Sequence, residues 1–243
     1  MFDPRKSTSS AAGYKLSDIE LAWFLISHPS WIRYFGEWQR SVKMKLRNPS
    51  ANTLEIGIPW LTYDAISWVR KYLKPDMRVF EYGSGGSTIY IASRVRELVS
   101  VEHNREWFDL VRHVIQDRGI TNSTYMLVEP EKRTADAVEK YSSTTFDEYK
   151  GFDFERYVRT INNFPDNYFD LIIVDGRARS ACVKESATKI RDGGYLILDN
   201  SERDQYQEAF DFMQKYSRMD FFGFGPFLKT FWNTTIWKVT SSP

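Results

Sequence analysis

Short apolar runs alternate with amphipathic stretches from about residue 60 to the end of the chain. The runs VFEY, LVSV and LIIV are apolar without a two-residue alternation, which is typical of parallel strands buried on both faces. Strands are predicted at 78–82, 97–102, about 124–128, 169–174 and 195–198. Apolar residues between them recur at three- and four-residue intervals, which predicts helices.

Helices are predicted at 61–73, 87–96, 105–118, 153–163, 181–190 and 206–216. Strands that alternate with helices form a parallel sheet with helices on both faces. The segment from Met219 to Val239 predicts two strands around a Gly/Pro-containing turn, so the final strand should be antiparallel. The interval of about 129–165 is longer than most connections and predicts an insertion. The expected fold class is α/β, a Rossmann-like three-layer sandwich with ligands at the C-terminal strand ends.

The first 50 residues predict a helical extension of a main domain that spans residues 51–243. Residues 1–13 are small and polar and are expected to be disordered. The stretch from Lys15 to about Arg47 predicts helix, with a break at Pro29. Its apolar stripe is expected to pack on the main domain. The alternatives are a lid over the substrate and a surface that forms a homodimer.

Composition narrows the choice of partners and compartment. The 243 residues include 33 basic and 32 acidic ones, and the resulting net charge of +1 disfavours a nucleic-acid substrate. Cys182 is the only cysteine, which excludes an intramolecular disulfide and fits a reducing compartment. No apolar run approaches the roughly 20 residues that span a bilayer, and the N-terminus lacks a signal-peptide core. A cytoplasmic protein without membrane contact is therefore expected.

The segment EYGSGGST, from Glu81 to Thr88, carries the strongest chemical signal. It lies where the first strand turns into a helix, and its glycines let the backbone approach a ligand closely. Dinucleotide-binding loops read G-x-G-x-x-G and hold a pyrophosphate, but Thr88 stands at the third glycine position here. Glu81 lies two residues before Gly83, where a carboxylate repels pyrophosphate and attracts an ammonium group.

A second acid, Glu102, ends the second strand 19 residues after Gly83. An acid at this place accepts hydrogen bonds from both hydroxyls of a ribose. His103 and Trp107 follow in the same segment, SVEHNREW, and are candidates to flank an adenine ring. The alternatives are a solvated strand-end acid for Glu102 and a surface position for His103.

Four segments, VFEYGSGGSTIYIA, SVEHNREW, FDLIIVDGRARSAC and GGYLILDN, together resemble the class I S-adenosylmethionine-dependent methyltransferases. The resemblance covers about residues 55–240. It is similar in particular to small bacterial-type methyltransferases with E-x-G-S-G-x-S-T in the cofactor loop. It implies a seven-stranded sheet of order 3-2-1-4-5-7-6 whose last strand is antiparallel, and S-adenosylmethionine as the cofactor.

The resemblance also implies roles for individual residues at the cofactor site. Glu81, Gly83 and Gly85 would hold the methionine end, and Glu102 would hold the ribose. The remaining implied contacts are loop backbone or hydroxyl groups and a carboxylate near the adenine amine, namely Ser84, Ser87, Thr88 and Glu129.

A third group of polar residues follows the fourth and fifth strands. Asp175 ends one strand, and Asp199 and Asn200 end the next, so parallel pairing brings their oxygen atoms together. Such oxygens could hold Mg²⁺. The pattern is similar to metal-dependent catechol and caffeoyl-CoA type O-methyltransferases, in which the metal lowers the pKa of the acceptor hydroxyl. A loop cap and a turn are the alternative roles.

Two arginines lie close to Asp175. The catechol-type enzymes carry a lysine base at the place that Ala178 takes here. Arginine is a poor base, but it binds carboxylates and phosphates well. Arg177 and Arg179 therefore favour an anionic acceptor, and Asp175 and Arg177 are the predicted catalytic residues.

The leading hypothesis is methyl transfer from S-adenosylmethionine to a small acceptor, with oxygen favoured over nitrogen as the acceptor atom. An NAD-dependent oxidoreductase is the runner-up, disfavoured by Glu81 and the missing third glycine. A nucleic-acid methyltransferase is disfavoured because Val174-Asp175-Gly176-Arg177 stands where amino-methylating members carry an N/D-P-P-Y motif. A non-catalytic protein that binds the cofactor and serves as a partner stays open, because a fold does not determine a function.

Overall fold

A mixed sheet organises the computed structural model, which describes residues 14–15, 17–27, 31–134, 138–143, 147–228 and 230–240. The strands of its main body are β1 Arg78–Tyr82, β2 Glu97–Glu102, β3 Ser123–Leu127, β4 Phe169–Val174, β5 Ile190–Asp199, β6 Ser217–Phe224 and β7 Thr230–Lys238. A two-residue strand, Tyr14–Lys15, pairs with the start of β7.

The seven strands lie in the order β3-β2-β1-β4-β5-β7-β6. Pairing is parallel from β3 through β5, whereas β7 is antiparallel to both β5 and β6. The predicted α/β Rossmann-like fold, with its strand order and antiparallel last strand, is confirmed. The order reverses between β1 and β4, so the C-terminal ends of these strands flank the crevice where such sheets bind ligands.

Helices surround the sheet. They are α1 Asp18–Ser27, α2 Ile32–Arg47, α3 Thr53–Ile56, α4 Tyr63–Tyr72, α5 Gly86–Ala92, α6 Arg105–Asp117, α7 Glu155–Arg159, α8 Arg179–Ser186 and α9 Gln207–Met213. Within the described residues, none of these helices combines the length and the apolar character needed to cross a bilayer.

Alternate residues of β1 face opposite sides of the sheet, as the two-residue period of a strand requires. Phe80 and Tyr82 are fully buried in a core that also contains residues of α7 and α8. Val79 is buried in a second core, with residues of α4 and α5. Glu81 shares the face of Val79, so β1 carries a carboxylate into an apolar layer.

The N-terminal helices pack on the hairpin of β6 and β7. The Trp31 ring lies 4.8 Å from the Phe224 ring, and the Trp38 indole N–H donates to the carbonyl oxygen of Leu228 at 2.8 Å. This contact agrees with the expected packing extension. The division at residue 50, the lid and the homodimer stay predictions, and the residues of the predicted break at Pro29 and of the predicted disorder over 1–13 lie outside the described ones.

Several element boundaries differ from the sequence prediction. The largest difference is that the helix predicted at 181–190 ends at Ser186 and the strand predicted from 195 already begins at Ile190. Gly193 has a positive φ of 73° inside this strand, where the register with β4 is irregular. The interval predicted as an insertion contains a short antiparallel pair, Glu131–Lys132 with Phe152–Asp153, before α7 begins.

Candidate active site

A cavity of about 270 Å³ opens at the C-terminal ends of β1, β2 and β4. Its walls come from the loops after these three strands, the start of α6 and the insertion. The lining residues are Gly83, Ser84, Glu102, His103, Asn104, Trp107, Glu148, Tyr149, Asp175, Gly176 and Arg177. Most of the residues predicted around the cofactor or the acceptor therefore meet at one place.

The glycine loop is shaped by contacts with the rest of the chain. Gly83 has a φ of +87°, and a Cβ there would lie 2.8 Å from the backbone of Gly176. A Cβ on Gly86 would lie 2.2 Å from the carbonyl oxygen of Ile58. A side chain at either position would collide with backbone, so both positions require glycine.

Thr88 explains why the third glycine of the dinucleotide motif is absent. Its hydroxyl accepts a hydrogen bond from the Gly85 N–H at 2.9 Å and donates one to Glu81 Oε2 at 2.6 Å. The Ser100 hydroxyl donates to the same Oε2, also at 2.6 Å. Thr88 thus ties the loop backbone to the carboxylate beneath it.

Glu81 lies under the loop and is 0 % exposed, and it does not belong to the cavity wall. Burial raises the pKa of Glu81 to about 7, although the hydroxyls of Ser100, Ser87 and Thr88 act in the opposite direction. The structure therefore gives Glu81 a supporting position. Direct contact between Glu81 and an ammonium group stays a prediction.

Glu102 joins the loops after β1 and β2. Its Oε2 accepts from the N–H and the hydroxyl of Ser84, at 3.0 and 2.9 Å. Its Oε1 accepts from the N–H groups of His103 and Asn104, at 2.8 and 2.9 Å. Burial alone would raise the pKa of Glu102, but the His103 imidazole and these N–H groups outweigh it and lower the pKa. The buried, ionised acid excludes the solvated alternative.

His103 and Trp107 both follow Glu102 in the sequence, and both line the cavity. The His103 ring is 8 % exposed and packs at 5.0 Å from Tyr149 and 5.8 Å from Phe154. A surface position for His103 is therefore wrong. The Trp107 indole donates to the Ser84 carbonyl oxygen at 2.8 Å, which fixes the ring beside the glycine loop.

Arg177 reaches the cavity wall from the loop after β4. Its guanidinium lies over the ring of Tyr149, 5.1 Å from the ring centre. Burial and the positive charge of Arg179 both lower the pKa of Arg177. A negative group of a ligand in the cavity would offset the repulsion between Arg177 and Arg179, so the position of Arg177 favours an anionic ligand.

The predicted Mg²⁺ site is not supported, because Arg179 contacts all three residues predicted to hold the metal, although it reaches Asp199 only through the backbone carbonyl. Its guanidinium lies 2.8 Å from the Asp175 carboxylate, and donates to the carbonyl oxygen of Asp199 at 2.5 Å and to Asn200 Oδ1 at 3.3 Å. No cluster of acidic, His or Cys side chains in the described residues could hold a metal. Arg179 therefore pairs with the protein's own carboxylate. The substrate-binding role that the sequence predicted for Arg179 is not supported.

Asp199 is buried in a different way from Asp175. Its Oδ1 accepts from the Trp232 indole at 3.0 Å and from the Thr234 hydroxyl at 2.6 Å. Burial and the nearby carboxylate of Asp175 raise the pKa of Asp199 well above its ordinary value. Asp175 keeps a side chain that is 28 % exposed and borders the cavity. Of the two acids, Asp175 is the one that a ligand can reach.

Two further residues were predicted at the cofactor site. Glu129 forms an exposed ion pair with Arg105, with 2.6 Å between the charged atoms, and does not line the cavity. Ser87 is half-buried in the first turn of α5. Their contacts with a cofactor stay predictions.

Residues that the sequence did not single out complete the site. Tyr149 and Glu148 enter the wall from the insertion, and Tyr125 lies 2.7 Å from the Ser84 hydroxyl through its own hydroxyl. Spacing along the chain gives no signal for Tyr149 and Glu148, because their positions depend on how a long connection folds back, whereas Tyr125 lies on β3.

Comparison with solved structures finds the same fold in proteins assigned as methyltransferases. A protein assigned as an O-methyltransferase from Klebsiella pneumoniae has a TM-score of 0.51 and 16 % identity, over 85 % of this chain and 99 % of that chain. A protein assigned as an rRNA methylase from Clostridium thermocellum has a TM-score of 0.50 and 11 % identity, over 74 % of this chain and 96 % of that chain.

A third similar structure, assigned as a methyltransferase from Streptococcus mutans and crystallised with SAH, has a TM-score of 0.49 and 11 % identity, over 71 % of this chain and 94 % of that chain. No protein-family model and no curated protein sequence matches the chain. At these identities the similarity shows the fold alone, a Rossmann-like fold that is shared with proteins assigned as methyltransferases.

Proposed function

We propose that this protein is an S-adenosylmethionine-dependent methyltransferase. A variant of Glu102 gives the most direct test of the proposal. The observation that carries the proposal is the buried, ionised Glu102 carboxylate, which holds the glycine loop at Ser84 and borders the cavity. An acid in this place can accept hydrogen bonds from ribose hydroxyls. The fold shared with assigned methyltransferases agrees with this use.

The charge of the cavity favours this cofactor over NAD. Three carboxylates line it, those of Glu102, Glu148 and Asp175, against one arginine, Arg177. Glu81 lies directly beneath the glycine loop. Negative groups so close to the loop disfavour the two phosphates of a dinucleotide. They favour a ligand with a sulfonium and an ammonium group.

When bound, the cofactor would supply a methyl group carried on a positively charged sulfur. The methyl group would pass to the acceptor oxygen, and the electron pair of the broken carbon–sulfur bond would stay on sulfur. The protein's part is mainly to position the two reactants. Asp175, whose partly buried side chain borders the cavity, takes the proton that leaves the acceptor, and this partial burial raises its pKa, which makes it a stronger base.

The acceptor in this proposal is a small anionic molecule methylated at oxygen. Arg177 is the lining residue that would bind its negative group, since Arg179 is committed to Asp175. A cytoplasmic location completes the proposal, and the buried thiol of Cys182 is compatible with a reducing compartment.

Calorimetric titration with S-adenosylhomocysteine, and with NAD for comparison, tests the cofactor. We expect Glu102→Gln to weaken S-adenosylhomocysteine binding about 10- to 100-fold, because hydrogen bonds to a charged group contribute about 1.5–3 kcal/mol. Glu106→Gln is the matched control, because Glu106 is exposed on α6 and lies outside the cavity. Tight binding of NAD without a response to S-adenosylhomocysteine would overturn the proposal.

Transfer of a labelled methyl group to small hydroxylated acids then tests the reaction. A wild-type protein that binds S-adenosylhomocysteine but methylates none of a broad acceptor set would favour the non-catalytic partner instead. The matched measurement on Asp175→Asn separates the proton-accepting role from cofactor binding, because this variant should keep its affinity for S-adenosylhomocysteine.

A further inference from the structure

The guanidinium of Arg179 occupies the centre of a ring of oxygen atoms. Besides the Asp175 carboxylate and Asn200 Oδ1, it contacts three backbone carbonyl oxygens. Those are the carbonyl oxygens of Gly176 at 3.0 Å, Asp175 at 3.0 Å and Asp199 at 2.5 Å. Five oxygens of this chain thus converge on one positive group.

This group is enclosed. Arg179 is 6 % exposed and Asp199 is 2 % exposed. A guanidinium stays charged at any pH at which a protein folds. Asp199 is buried and Asp175, 28 % exposed, lies near it, so a nearby positive charge compensates for the hydration that these carboxylates lose. Arg179 therefore supplies a charge that the fold requires at the ends of β4 and β5.

We propose that Arg179 is the resident cation of this cluster, which makes the site independent of metal, and that removing its side chain converts the same oxygens into a divalent cation site. Calcium takes six to eight oxygen ligands and accepts carboxylates, amide oxygens and backbone carbonyls together. The five oxygens around Arg179 are of these three kinds. Water can complete the shell in the space that the guanidinium leaves.

The proposal also gives Arg179 a positioning role for Asp175. All five of its oxygen contacts are with groups at the C-terminal ends of β4 and β5, so it holds the Asp175 carboxylate at the cavity wall without touching a ligand. The inference does not rest on the proposed reaction, because cation binding can be measured without turnover. Binding of S-adenosylhomocysteine, measured on the same samples, keeps the two proposals apart.

Thermal unfolding of the wild type, Arg179→Ala and Arg179→Lys with Ca²⁺ or a chelator tests the proposal. We expect a wild-type Tm that neither addition changes, and an Arg179→Ala Tm that is lower but rises with Ca²⁺. At a Ca²⁺ concentration near 100 times its Kd the rise should be about 5–10 °C for a protein of this size. Arg179→Lys, which keeps the charge, should show no such rise.

Binding of Mn²⁺, followed by electron paramagnetic resonance, gives a second measurement that needs no turnover. If Arg179→Ala folds only in the presence of Ca²⁺, that dependence supports the proposal as well. Saturable Mn²⁺ binding to the wild type that Asp175→Asn abolishes would overturn it. An Arg179→Ala protein that folds but neither responds to Ca²⁺ nor binds Mn²⁺ would also overturn the proposal. If Arg179→Ala fails to fold with or without Ca²⁺, Arg179→Gln replaces it in the test, and an Arg179→Gln protein that folds without binding Mn²⁺ would overturn the proposal.

Discussion

Glu81 should make the stability of this protein fall as the pH rises through the neutral range. Its carboxyl group is fully buried, and burial raises its pKa from 4.5 to about 7. In the folded chain the ionised form is therefore penalised, whereas the unfolded chain ionises normally. Between pH 4.5 and about 7 the folded state binds more protons than the unfolded state, so the free energy of unfolding decreases with pH.

The magnitude follows from the shift itself. The rise in the pKa of Glu81 from 4.5 to about 7 corresponds to about 3 kcal/mol of folding free energy. The protein loses this stability progressively as the pH rises through that range, and the loss is constant at higher pH. Glu81→Gln removes the ionisation and keeps an oxygen that can accept from the hydroxyls of Thr88 and Ser100. The variant should therefore lose this part of the pH dependence.

Urea unfolding of both proteins over this pH range is the assay. The stability of the wild type relative to Glu81→Gln should fall by about 3 kcal/mol, and Glu106→Gln, at an exposed position, should show no such change. A relative stability that stays level from pH 4.5 to about 7 would refute the reasoning. Saturating S-adenosylhomocysteine gives a further result: a lowered pKa of Glu81 would place its ammonium group near this acid.

Three other perturbations have definite expected outcomes. Gly83→Ala should lower the free energy of unfolding by about 1–3 kcal/mol, measured in urea, because Gly83 has a φ of +87° and a Cβ would meet the backbone of Gly176; an unchanged stability contradicts this account of the turn. Arg177→Glu should raise the KM for an anionic acceptor about 10- to 100-fold while calorimetry shows little change in S-adenosylhomocysteine affinity, and an equal loss of both argues against a contact with the acceptor. Trp23→Lys should shift a homodimer toward monomer in light scattering, because Trp23 is 68 % exposed on α1 beside the exposed Ile19 and Ile26; a wild type that is monomeric at high concentration removes the dimer.

The central strands were predictable because they are buried on both faces. The sequence boundaries of β1, β2 and β4 agree with the structure, since their apolar runs end where polar loop residues begin. The start of β5 was not predictable in the same way. Asp192-Gly193-Gly194 has the composition of a turn, but backbone hydrogen bonds of Gly193 and Gly194 with Val239, just after β7, extend the strand through it.

The site divides along a similar line. Glu102 could be found from its distance to the glycine loop, because spacing on a parallel sheet determines which strand end a residue occupies. The role of Arg179 could not, because a sequence does not show which oxygens surround a guanidinium. Arg177 and Arg179 are two residues apart and chemically identical, yet one lines the cavity and the other is enclosed by backbone carbonyls.

The close approach of Gly83 and Gly176 has a mechanical consequence. With no side chain at either residue, the turn after β1 rests directly on the turn after β4, and neither backbone can shift without pushing the other. A ligand that displaces the first turn would therefore also displace Asp175 and Arg177, which belong to the second turn. In the proposed reaction, a cofactor on the first turn and an acceptor at the second would therefore be coupled through the contact between two glycines.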